Sequence, residues 1–252
     1  MTYLIAFAFF ALGSILASFM AVIAERLYTG QSWAKGRSHC NSCNRELSAP
    51  DLVPVLSWLA FRGRCRTCHA RVPFLYTLGE FLLGTAFALA YIKVGLMLPL
   101  APLLAAFTVL AFIVMYDLRH TIVPMASSAL LLAFSFLYAL FSMGWGVQLG
   151  LALMVAGVIS LGFFLLHTLS GGRAMGLGDA PVALSLSILV GGSLAIPGLL
   201  FSFWIGALVG IAILAATPKG HRMGIEVPFV PFLAAGYLLA FFTQWNPLFL
   251  TL

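Results

Sequence analysis

Residues 94–117 read VGLMLPLAPLLAAFTVLAFIVMYD. No charge interrupts the stretch from Val94 to Tyr116, which satisfies the about 20 apolar residues needed to cross a bilayer. A carboxylate, Asp117, follows at once. Asp117 and Asp179 are the only acidic residues between Glu80 and Glu226. A carboxylate at the edge of a membrane costs free energy unless it has a chemical role or a partner, so the pair is the first candidate site.

The rest of the chain repeats the pattern. With 62% hydrophobic and 8% charged residues and a mean hydropathy of +1.08, it lies far from a soluble domain with about 25% charged residues. Uncharged runs cover 3–24, 94–116, 121–172, 180–218 and 227–252. The two longest each hold two spans, divided by Gly144-Trp145-Gly146 and by Gly191-Gly192 to Pro197-Gly198, both rich in turn residues. One more span, from about Val72 to Ile92 with Glu80 near its start, brings the expectation to an all-α, polytopic bundle of about eight transmembrane helices.

Lysine and arginine fix the expected orientation. Arg26, Lys35, Arg37, Arg45, Arg62, Arg64, Arg66 and Arg71 share one polar segment, and Arg119, Arg173, Lys219 and Arg222 lie in later turns; eight plus four is twelve of thirteen. An outside N-terminus puts all twelve in the cytoplasm and only Lys93 outside. No basic residue precedes Arg26, so the first apolar run reads as a retained span rather than a cleaved signal. The net charge of +6 is then membrane topology and attraction to anionic lipid, and nucleic acid is not needed as a partner.

Within the polar segment, Cys40-Asn-Ser-Cys43 and Cys65-Arg-Thr-Cys68 use all four cysteines of the chain. Two Cys-x-x-Cys knuckles at this separation have the spacing of a zinc ribbon, and four thiolates would close a structural tetrahedral site. Unliganded thiols, redox pairs or disulfides are the other readings of the same cysteines. His39 and His69 flank the knuckles as substitute ligands or exposed loop residues. A segment this short cannot bury a sufficient core alone, so the metal would supply much of its folding free energy. The apolar stretch 51–61 either docks the ribbon on the membrane or bundle, or forms its small core.

Asp179 follows Gly176-Leu-Gly178, where two glycines permit positive φ and close backbone approach. As an N-cap, with Pro181 in the first turn of the following helix, Asp179 has a structural explanation. Asp117 does not share it. Two facing carboxylates suit aspartyl proteolysis, in which one takes a proton from water while the other polarises the scissile carbonyl, and their titration belongs to the pair. No nucleophile triad, phosphate loop or zinc-protease motif competes. His167 reads as a satisfied interior residue and His221 as a loop residue.

Taken together, Gly176 to Asp179, Asp117 to Pro124, the ribbon Cys40 to Cys68 and the intervening Pro54 to Cys65 resemble the bacterial type IV prepilin peptidases over roughly residues 12–240. Ser18-Phe19, Arg26-Leu27, Tyr76 to Glu80 and Pro228 to Leu233 extend the likeness. The resemblance implies an inner-membrane endopeptidase that removes the basic leader of type IV prepilins or type II secretion pseudopilins after a Gly. It also implies N-methylation of the new N-terminus with S-adenosylmethionine. Asp117 and Asp179 would be catalytic, Gly176, Gly178, Glu80 and Pro228 would position substrate, and Cys40, Cys43, Cys65 and Cys68 would hold structural zinc. The division becomes a first transmembrane helix over 1–25, a cytoplasmic zinc ribbon over 26–72 and a membrane peptidase core over 73–252.

The chain departs from the family's common residues at Ala21, Met125, Pro181 and Val230. These positions bear on substrate positioning and methyl transfer rather than on the carboxylates. A presenilin-like intramembrane protease would share Tyr116-Asp117 and the Gly-Leu-Gly-Asp, but it has no reason to carry a ribbon. An ion-coupled transporter or scaffold would show internal repeats and midplane charges, and neither is present.

Overall fold

A computed structural model describes residues 1–30, 32, 36–173, 175–217 and 227–247. The readings of Lys35, Lys219, His221, Arg222 and Glu226 fall outside the described residues. The chain forms two compact units, Met1–Leu96 and Met97–Leu252. This packing boundary follows the second long apolar helix, whereas the expected functional division at 73 precedes it.

The N-terminal unit pairs α1 (Thr2–Tyr28) with α3 (Phe74–Val94), and the ribbon segment with the short α2 (Leu56–Ala60) lies between them in sequence. Small residues explain the pairing: Gly13, Ala17, Ala21 and Ala24 recur every three or four positions of α1 and are buried. A Cβ on Gly13 would stand 2.8 Å from the Leu83 carbonyl oxygen and 2.9 Å from the Gly84 Cα, so the two backbones touch as helices do in lipid. The Ser14 hydroxyl donates to the Glu80 carbonyl at 3.0 Å. The rings of Phe9 and Tyr91 stack at 5.1 Å.

The C-terminal unit contains α4 (Leu100–His120), α5 (Met125–Met143), α6 (Val147–Ser170), α7 (Asp179–Val190), α8 (Gly192–Ala216) and α9 (Val230–Thr243). Helix α7 is the central one, packing against α5, α6, α8 and α9 with nearly all its residues buried. Ser187 of α7 and Tyr237 of α9 share a buried hydroxyl hydrogen bond of 2.7 Å. Met154, Val158, Leu208 and Ile211 remain exposed, as side chains facing lipid do.

The expected apolar helices are present, and among the described residues six of them are long and apolar enough to span a membrane. Helices α7 and α9 are shorter: 12 and 14 residues reach only about 18–21 Å at about 1.5 Å per residue. Gly144 to Gly146 separates α5 from α6 as expected. The second division is narrower than expected. Only Gly191, at φ +87°, breaks the chain between α7 and α8, while Pro197 and Gly198 lie inside α8. Pro197 offers no N–H to Ser193, and the Asn246 side chain donates to that freed carbonyl at 3.4 Å instead.

Candidate active site and cysteine cluster

Asp117 occupies the last turn of α4. The helix closes with Thr121 in the left-handed region at φ 52°, its N–H bonding back to the Asp117 carbonyl at 2.8 Å. This turn sends the chain through Ile122-Val123-Pro124 into α5. The Asp117 side chain is 5% exposed. Its Oδ2 has no hydrogen-bond partner among the described residues, and α4, which carries it, packs against α5 and α9.

Asp179 opens α7 and is also buried. It does not act as the N-cap: Gly178 holds that position, with no side-chain cap bond. Instead Asp179 turns back on its own loop, where its Oδ2 accepts the Gly176 N–H at 3.2 Å while its N–H donates to the Gly176 carbonyl at 3.2 Å. Nor do the two glycines use positive φ, since neither is among the positive-φ residues. Gly178 is required for space, because a Cβ there would stand 2.6 Å from the Val123 Cβ. The α4–α5 connection and the Asp179 loop therefore pack backbone against side chain.

Two further contacts fix this loop. The His167 Nδ1, on the last turns of α6, lies 2.9 Å from the Met175 carbonyl, so that nitrogen carries the proton. His167 is satisfied as expected, but it is half-buried rather than interior. The Ser160 hydroxyl donates to the Ala180 carbonyl at 3.0 Å. Helices α4 and α7 reach one another through α5 and α9, which pack against both.

Of the expected positioning residues, Gly176 and Gly178 lie on the Asp179 loop, and Pro228 stands two residues before Val230, where α9 starts. Glu80 belongs to the N-terminal unit, where its Oε2 accepts the Val55 N–H at 2.8 Å. Val123, whose side chain fills the space Gly178 leaves, carried no signal of this role, because a valine in an apolar chain does not mark its partner.

The four cysteine sulfurs all lie within 4.8 Å of one another, with Cys40 to Cys68 at 3.8 Å and Cys43 to Cys65 at 4.0 Å. A tetrahedron with metal–sulfur bonds of about 2.3 Å has edges of about 3.8 Å, so the cluster fits a zinc ribbon. None of the four forms a disulfide. The knuckles repeat one geometry: Asn44 and His69, each following a second cysteine, take φ 54° and 56°. Their amides return to the Cys40 and Cys65 carbonyls at 2.9 and 3.1 Å. The amides of Cys68 and Thr67 pull the Cys65 thiol down to about 6, and those of Ser42 and Cys43 lower Cys40. These two shifts favour the thiolate that a metal binds, whereas at Cys43 the Arg45 amide pulls down but burial and the three neighbouring thiols together push the thiol up to about 11. His39 and His69 are exposed and lie outside the cluster.

Between the knuckles, Asp51 accepts Arg45 at 3.1 Å and the Ser48 hydroxyl at 2.6 Å. The Arg45 guanidinium holds the Asp51 carboxyl down to about 2. Leu52, Val53, Leu56 and Leu59 of the stretch 51–61 are exposed, while Trp58 packs edge-on against Phe74 at 5.4 Å. The apolar stretch thus half-buries one aromatic, Trp58, and leaves its leucines outside.

Residues 11–94 match the bacterial peptidase A24 N-terminal domain. The chain is 30% identical to a prepilin leader peptidase/N-methyltransferase of Bacillus subtilis, covering 92% of each chain. It is 33% identical to the Aeromonas hydrophila protein of that name, over 80% of this chain and 70% of the relative. It is also 30% identical to a type 4 prepilin-like proteins leader peptide-processing enzyme of Escherichia coli, over 84% and 78%. No solved structure matches the chain.

Proposed function

This chain belongs to the prepilin leader peptidase/N-methyltransferase family, and on that premise we propose that it is a membrane aspartyl endopeptidase. Its substrates are type IV prepilins or type II secretion pseudopilins, whose basic leader it removes after a Gly. The observation that supports this reading is that Asp117, at the end of α4, and Asp179, at the start of α7, are both buried on helices that share α5 and α9 as neighbours, with Asp179 held by the Gly176 amide. Two such carboxylates share a proton more readily than they both ionise.

Water between them passes a proton to the ionised carboxylate as its oxygen attacks the scissile carbonyl carbon. The protonated carboxyl hydrogen-bonds the carbonyl oxygen, which takes the electron pair of the broken π bond. Collapse of the tetrahedral species breaks the C–N bond, and the leaving amine takes the proton back from the carboxyl that holds it. Asp117 Oδ2, buried and without a partner among the described residues, is the atom left to bond that water once substrate and water enter.

The distribution of lysine and arginine supports an N-terminus outside and the carboxylates on the cytoplasmic side of a bacterial plasma membrane. At that height a basic leader stays in the cytoplasm while the pilin's apolar helix lies in lipid. Cys40, Cys43, Cys65 and Cys68 would hold structural zinc. For methylation, S-adenosylmethionine would supply the methyl group from its sulfonium to the new N-terminal amine, keeping the C–S electron pair as S-adenosylhomocysteine while the amine loses a proton.

The test is cleavage of a synthetic prepilin by purified protein. Asp117→Asn and Asp179→Asn, which keep side-chain shape, are each expected to lower the rate by about a thousandfold. Wild-type cleavage by either variant would remove that residue from the pair.

A further inference from the structure

We propose that the outer hollow of the N-terminal unit, framed by Trp58, Arg62, Arg64, Arg71 and Phe74, seats the phosphate headgroup of an anionic lipid of the surrounding bilayer and so holds the ribbon segment on the membrane surface. The hollow measures about 450 Å³, within the roughly 300–1,000 Å³ of small-molecule sites. It presents three guanidiniums and, among the described residues, no carboxylate.

Local backbone geometry brings the three charges together. Arg62 and Gly63 follow α2 in left-handed conformations, at φ 52° and 64°. The Val72 N–H then donates to the Gly63 carbonyl at 2.8 Å, and Arg64 and Arg71 stand opposite one another across an antiparallel bridge. Like charges directly opposite on paired segments are destabilising. All three arginines are exposed, and among the described residues none of them is in an ion pair. Arg66, by contrast, covers the Phe61 ring at 5.0 Å and approaches Asp51 at 4.0 Å, while Arg45 and Arg37 pair with Asp51 and Glu46. A phosphate is an anion whose oxygens can accept from several guanidiniums at once.

The aromatic side of the frame fixes the height of the hollow. Phe74 is the first residue of α3, which is long and apolar enough to cross a membrane. Trp58 is tied to that entry point, since its ring lies edge-on to Phe74 at 5.4 Å and its N–H donates to the Val72 carbonyl at 3.2 Å. A tryptophan held at the first turn of a span sits at headgroup level, where the lipid phosphates are. On the same segment Leu56 and Leu59 of α2 are 63% and 59% exposed, and Phe74 and Leu75 are exposed as well. Such apolar groups are favourable at the boundary with the acyl chains, and the arginines beside them reach the phosphates.

A soluble phosphate would use the arginines and leave the leucines uncovered, and the basic leader of a prepilin would be repelled by three guanidiniums. An anionic lipid answers both halves of the surface. The experiment is native mass spectrometry of the full-length protein in detergent, delipidated and titrated with phosphatidylglycerol or with phosphatidylcholine of the same chains. Wild type should hold phosphatidylglycerol at least about tenfold more tightly. Arg62→Gln, Arg64→Gln and Arg71→Gln should each weaken it about fivefold and the triple variant about a hundredfold, with phosphatidylcholine little changed. Leu56→Ser combined with Leu59→Ser should weaken both lipids about tenfold.

Thermal melting of each variant checks folding; should the triple variant melt early, the single variants carry the test. A control with Arg37, Arg119 and Arg173 all replaced by Gln removes the same charge elsewhere and should cost less than about threefold. Equal affinity of wild type for the two lipids, or wild-type affinity in the folded arginine variants, overturns the site. So does a control that loses as much as the triple variant, because attraction would then be diffuse. Inorganic phosphate bound as tightly as phosphatidylglycerol also overturns it, since the hollow would then serve a soluble anion.

Discussion

The His167 Nδ1 lies 2.9 Å from the Met175 carbonyl oxygen, which makes the last turns of α6 the anchor of the loop carrying Gly176 and Asp179. Loss of this bond leaves both carboxylates in the chain and frees the loop that aims one of them. His167→Ala is expected to lower kcat about ten- to a hundredfold with KM nearly unchanged, as a displaced catalytic group does. His167→Asn, whose amide N–H can replace Nδ1–H, should recover part of the loss. Steady-state cleavage kinetics on a prepilin read both effects.

Gly178 and Val123 form a second, steric pair. Adding a Cβ at 178 places it 2.6 Å from the Val123 Cβ, and overpacking of this kind costs about 1–3 kcal/mol. Gly178→Ala should lower the melting temperature and cleavage together. Val123→Gly, which removes the opposing carbon, should relieve the variant more than it helps wild type. A double-mutant cycle in melting temperature checks the coupling.

The ribbon has a pH signature. Asp51 is held down to about 2 by Arg45 and by Ser48, against about 3.9 in an unfolded chain. A lowered carboxyl contributes stability that is fully present above the unfolded value and lost as pH falls through the folded one. The melting-temperature gap between wild type and Asp51→Asn should therefore hold from pH 7 to about 4 and close between about 4 and 2. A gap that grew on acidification would contradict the pairing.

Metal analysis addresses the cysteines. Sulfurs within 4.8 Å of one another predict about one zinc per chain, and Cys65→Ser should lose most of it. Chelation should lower the melting temperature, because the ligation free energy is folding free energy for so small a segment. Less than about half an equivalent in protein never exposed to chelator would count against a structural site.

Local residue chemistry made much of this legible. Composition and uncharged runs determined a multi-pass helical bundle, since hydropathy is additive along the chain and needs no knowledge of neighbours. Cys40 to Cys68 determined a metal-type cluster by spacing alone, and Gly144 to Gly146 determined the α5–α6 turn by its chemistry. Pro197-Gly198 misled as a break because the compensating donor, Asn246, lies far along the chain. Asp179 misled as a cap because its acceptor oxygen found the Gly176 amide behind it rather than the helix ahead.

The sequence by itself thus determined the two carboxylates and the membrane that makes them costly. Only the tertiary structure decided that both are buried, that Gly178 yields its space to Val123 and that His167 holds the loop. Those are contacts between residues distant in sequence, made by backbone groups every residue shares or by side chains whose type permits many partners. Packing of α5 and α9 against both α4 and α7 selects among them, and that choice is not carried by any one stretch of the chain.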